Sequence, residues 1–139
     1  MSAFVNAETT RAMPDPTPLT ELQIDLLDVL WERGEASTSD VCEAMRPSRG
    51  LALSTVATSL SRLEKKGVVT HRKEGRQFVY RATVSRGDVR SSMVRGLTRT
   101  LFGGDPAALV QHLVADQDVD DDELGRIRAL LDEAEALRE

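Results

Sequence analysis

The hydroxyls of Ser54, Thr55, Thr58 and Ser61 precede the cations Arg62, Lys65 and Lys66 within thirteen residues, and Arg72, Lys73, Gly75 and Arg76 follow closely. This set suits recognition rather than bond making. Short hydroxyl side chains let a helix approach base edges, and a threonine methyl packs against a thymine methyl. Lysine and arginine neutralise phosphates, which supplies affinity more than sequence information. Gly75 permits close backbone approach. Residue types for catalysis or metal binding are sparse. Cys42 is the single cysteine, and His71 and His112 have no ligand-like spacing with it. The run Asp118, Asp120, Asp121, Asp122, Glu123 reads as a helix start favoured by the macrodipole, not as an acid-base pair. The expectation is therefore a protein that is not an enzyme and uses no cofactor or metal.

The net charge of −5 hides a segregation of sign. Residues 46–83 hold nine Lys or Arg against Glu64 and Glu74, a net +7, whereas residues 19–45 carry −6 and residues 84–139 carry −5. A polyanion would meet the middle segment only. The elements around it follow from pattern. Thr20 with Gln23 forms a capping box, Leu19 staples onto Ile24, and Leu22, Leu26, Val29 and Leu30 make a buried stripe closed by Gly34. A short helix follows Ser37, capped with Asp40, buries Val41, Cys42, Ala44 and Met45, and ends at Pro47. The third helix runs from Ser54 to Lys66. Val56, Leu60 and Leu63 fall on one stripe, and Ser54, Thr58, Ser61 and Lys65 point nearly opposite, flanked by Thr55, Arg62 and Lys66. Val68 to Lys73 and Arg76 to Arg81 read as a β-hairpin closed at Glu74-Gly75, which sets Val69 opposite Tyr80 and His71 opposite Phe78. Three helices and a hairpin in this order predict a winged helix-turn-helix.

Beyond the hairpin, Val89, Met93, Leu97 and Leu101 recur every four residues up to Gly103-Gly104. Asp105 and Pro106 start a helix carrying Leu109, Val110, Leu113 and Val114, and an Asp120/Glu123 capping box starts another carrying Leu124, Ile127, Leu131 and Ala134, with Leu130 and Leu137 alongside. These stripes need a cover, and a second copy is the simplest one. The fold class expected is mainly α with a small β-hairpin wing: an arm at 1–18, a winged-helix DNA-binding domain at 19–83, and a helical dimerisation domain at 84–139.

The strings Leu51–Thr58, Arg62–Gly67, His71–Tyr80 and Leu101–Val110 resemble the penicillinase and methicillin-resistance repressors, and the resemblance covers residues 19 to about 137. It implies a homodimer whose winged helices hold double-stranded operator half-sites and whose C-terminal helices interlock. It also implies a possible partner, a membrane-bound sensor metalloprotease that responds to β-lactam and cuts the repressor within its dimerisation helices. The sequence departs from that pattern. The bond aligned with the cut is His112-Leu113 where the staphylococcal pattern has Asn-Phe, Leu53 stands where many relatives have an aromatic residue, and the Cys-x-Cys pairs of copper-responsive relatives are absent.

No apolar run approaches the roughly 20 residues of a membrane span, and no signal-peptide pattern opens the chain, so the expectation is a soluble, cytoplasmic protein without membrane insertion. The alternative class is a winged-helix module that binds protein. The third helix weighs against it, since its outer face offers hydroxyls and cations in place of aromatic or leucine anchors.

Overall fold

The computed structural model describes residues 18–116 and 119–138. The arm expected at 1–18 therefore falls outside the described residues except for Pro18, as does Asp118. The chain divides into two compact units, the first reaching Gly96 and the second running from Leu97.

In the first unit, the helices begin where side chains can satisfy the free backbone N–H groups of their first turns. Helix α1 (Glu21–Arg33) opens on the Thr20/Gln23 box and closes at Gly34, whose φ of 83° suits a residue without a Cβ. Helix α2 (Thr38–Met45) opens on the Ser37/Asp40 box. Helix α3 (Leu53–Lys65) begins one residue earlier than its pattern suggested. The hairpin strands are β2 (Val69–Glu74) and β3 (Gln77–Ala82). A two-residue strand, β1 (Ala36–Ser37), pairs antiparallel with the outer side of β3 and gives the order β1-β3-β2. Two residues are too few to show a period-two pattern, so this strand has no sequence signature.

The hairpin register differs from the expected one. His71 lies opposite Tyr80, Lys73 opposite Phe78 and Glu74 opposite Gln77, which leaves Gly75-Arg76 as the loop. Gly75 takes the first loop position with φ 62°, the positive value that two-residue hairpin turns require there. A shift of two residues along one strand keeps every side chain on its face, so alternation alone does not separate the two registers.

The core collects Leu26, Leu27, Leu30, Val41, Val56, Leu60, Leu63 and Val68, all essentially without solvent contact. Val56, Leu60 and Leu63 are the stripe expected of α3, and Leu27 joins α1's stripe from beside it. Helix α4 (Arg86–Phe102) starts with a third capping box, Ser85 and Asp88, and places Val89 inside this core with Met93 packed against it. Trp31 ties α1 to the start of α4. Its indole N–H donates to the Val84 carbonyl at 2.9 Å, and Arg86 lies over its ring while bonding Asp28.

The second unit holds the end of α4, then α5 (Pro106–Asp116) and α6 (Asp121–Arg138). Asp105 accepts from the Ala107 N–H at 3.0 Å, and Asp120 and Glu123 bond each other's backbone N–H, so both helices begin where the sequence indicated. Leu97, Leu101, Val110, Leu113, Val114, Leu130, Leu131 and Leu137 remain exposed in the single chain, while Leu109, Leu124 and Ile127 are half-buried.

Candidate nucleic-acid interface

Helix α3 is fixed by its buried stripe, which leaves Ser54, Thr55, Thr58, Ser61, Arg62 and Lys65 exposed and Lys66 half-buried. Among the described residues no ion pair engages Arg62, Lys65, Lys66 or Arg76. Ala52 precedes the helix without a side-chain cap, and its first turn holds no acidic residue. Both features leave the positive end of the helix dipole open to an anion. The chain then reverses at Gly67, φ 81°, where the Val68 N–H bonds the Leu63 carbonyl and the Thr83 hydroxyl bonds the Gly67 carbonyl. These bonds fix the reversal from which β2 starts.

A side-chain pair, Glu64 and His71, joins the helix to the wing. His71 Nδ1 lies 2.8 Å from both Glu64 carboxylate oxygens, and since a carboxylate only accepts, this nitrogen is the donor. The imidazole stacks on Phe78 with centroids 4.3 Å apart and lies 5.4 Å from the Tyr80 ring. Burial raises the Tyr80 pKa above its usual value, and the Glu64 charge raises it further. Glu64 is thus engaged on the wing side of α3, away from the hydroxyl-bearing face.

The wing residues separate into two groups. Lys73, Gly75 and Arg76 are exposed around the hairpin tip, with Lys73 engaged in contacts of its own. Arg72, grouped with them from the sequence, is instead turned to Glu35 at 2.8 Å and to Glu74, and its side chain is only 18% exposed. The hydrogen bonds to Glu35 first and Glu74 second raise its pKa. These bonds link the wing to the α1–β1 turn. The pairing with Glu35, thirty-seven residues away, has no sequence signal. The Ser85/Asp88 box did have one, the spacing of a capping box, and it was missed.

Arg76 and Gln77 of the wing, Thr38 and Ser39 of α2's first turn, and Leu53, Ala57 and Phe78 line an open groove of about 320 Å³ between wing and helix-turn-helix. Among the described residues no group of His, Cys, Asp or Glu is arranged to hold a metal ion, and no helix is long and apolar enough to cross a membrane.

The family model described as Penicillinase repressor matches residues 19–133. The methicillin resistance regulatory protein of Mammaliicoccus sciuri is 23% identical over 113 residues, covering 81% of this chain and 92% of its own. The penicillinase repressor of Bacillus licheniformis is 23% identical over 115 residues, covering 83% and 90%. Among solved structures, the DNA-binding domain of the repressor BlaI is similar at 26% identity and a TM-score of 0.47, over 58% of this chain and 93% of that one. Matched across most of its length, the chain belongs to the penicillinase repressor family of winged-helix, DNA-binding transcriptional repressors.

Proposed function

We propose that this protein represses transcription as a homodimer bound to a palindromic DNA operator in the cytoplasm, with α3 in the major groove and the wing on the adjacent backbone. The observation that carries this reading is the outer face of α3, where exposed hydroxyls are followed by cations and the nearest carboxylate, Glu64, is tied to His71. Ser54, Thr55 and Thr58, near the helix start, are assigned to base edges, as recognition helices present their first residues there. Ser61, Arg62, Lys65, Lys66, Lys73 and Arg76 are assigned to phosphates, with Gly75 giving the wing tip clearance.

The homodimer is supported by the exposed Leu97, Leu101, Val110, Leu113 and Leu131, with half-buried Leu109, Leu124 and Ile127 beside them. A unit of this size rarely holds a stable core alone, and a two-fold partner offers the same stripes in return. Two half-sites then let small discriminations add. Cleavage by a sensor metalloprotease at His112-Leu113 would release the operator, and that bond lies within α5, which has to open first.

Selection of bound fragments from random DNA tests the reading. The expected product is a palindrome with half-sites one helical turn or a multiple apart. Thr58→Ala should then lower the preference for that operator over scrambled DNA while leaving non-specific affinity and dimerisation nearly unchanged. An unchanged preference in both Thr55→Ala and Thr58→Ala would show that sequence is read elsewhere.

A further inference from the structure

The wing-facing flank of α3 carries Leu53, then Ala57 one turn on, then Glu64 two turns further. Glu64 meets His71, while the exposed Leu53 and Ala57 line the groove together with Phe78. Leu53 is 51% exposed and Phe78 41% exposed, and the groove they line also takes in the exposed cation Arg76. The groove is thus lined by apolar Leu53, Ala57 and Phe78 and by polar Thr38, Ser39, Arg76 and Gln77, with no carboxylate among them.

Resting on the DNA-binding reading, we infer that Leu53 is a specificity-determining residue that reads the C5-methyl group of one thymine per half-site, with Ala57 and Phe78 completing the apolar seat. The charge pattern selects the occupant. A cation and three polar side chains beside three apolar ones match a nucleotide, whose phosphate suits the former and whose methyl-bearing base edge suits the latter. Leu53 is the first residue of α3, the region of a recognition helix that lies closest to base edges. In the major groove the methyl is the feature that marks thymine to an apolar side chain, which has no hydrogen bond to offer. This seat acts beside the hydroxyl contacts of Thr55 and Thr58 and is independent of them.

The test replaces each thymine of the selected operator by deoxyuridine in turn, which removes one methyl and nothing else, and measures affinity by anisotropy at fixed salt. One position per half-site should lose roughly fourfold, the worth of one buried methyl-sized group. In Leu53→Ala that position should become insensitive to the substitution, and Leu53→Met, which keeps the apolar contact, should retain most of the sensitivity. Sequence-selective binding in which no methyl-dependent position becomes insensitive in Leu53→Ala overturns this inference alone. Failure of the wild-type protein to prefer any sequence overturns the DNA-binding reading and this inference with it. Circular dichroism of Leu53→Ala checks that the variant is folded, as an exposed position in a helix predicts.

Discussion

Glu64 near the end of α3 and His71 on β2 form a clasp 2.8 Å long between the helix that faces DNA and the wing beside it. Both side chains keep about a third of their surface in solvent, 30% and 27%, so the pair acts more through geometry than through bulk stability. Glu64→Ala should therefore cost about 1 kcal/mol or less in chemical denaturation. Its larger effect is expected on the wing. Amide exchange in 69–82 should speed up relative to that of α1, and operator affinity should fall although Glu64 touches no DNA. Unchanged exchange in the wing would show that the turn at Gly67 holds it unaided.

Tyr80 reports on the same clasp, because it is the chain's single tyrosine. Burial and then the Glu64 charge raise its pKa, so absorbance of the phenolate should develop above pH 10 in the folded protein. Glu64→Gln should move that midpoint down without abolishing the shift. The sign for stability follows. Between the unfolded and folded pKa the native state binds more protons than the unfolded state, so stability falls as pH rises past about 10. Tyr80→Phe should flatten this part of the stability profile.

Arg72 and Arg76 stand four residues apart on the wing yet should behave differently. Arg76→Ala is expected to weaken operator and random DNA alike and to lower the salt slope by about one ion. Arg72→Ala removes the partner of Glu35 and Glu74, so it should lower the melting temperature and leave the slope nearly unchanged. The salt dependence of both variants, measured side by side, decides the assignment. A reduced slope for Arg72→Ala would mean that its internal bonds yield to phosphate.

Truncation should separate folding from association. Val89 is buried in the first unit's core and Met93 packs on it, so a chain ending at Arg86 loses core and should unfold more easily. A chain ending at Gly96 keeps both residues and should be a folded monomer with weakened operator binding. Sedimentation of the full chain should give a dimer at micromolar concentration. A monomer there rules out the homodimer.

The sequence alone determined what depends on neighbours along the chain. The boxes Thr20/Gln23, Ser37/Asp40 and Asp120/Glu123 form as their spacing required, because a helix start is completed within three residues. The α3 stripe and its opposite face followed from helical periodicity in the same way. Tertiary structure decided what depends on meetings across the chain. The Gly75-Arg76 loop, with Gly75 at φ 62°, stands in place of Glu74-Gly75, while side-chain alternation permits both. Arg72 found Glu35 across thirty-seven residues, and Glu64 found His71 only once Gly67 had reversed the chain. Val89 and Met93 carry the same period as Leu97 and Leu101, yet they pack on the first unit's core, while Leu97 and Leu101 stay exposed in the second. An apolar period states that a face must be covered, and only the packed chain determines what covers it.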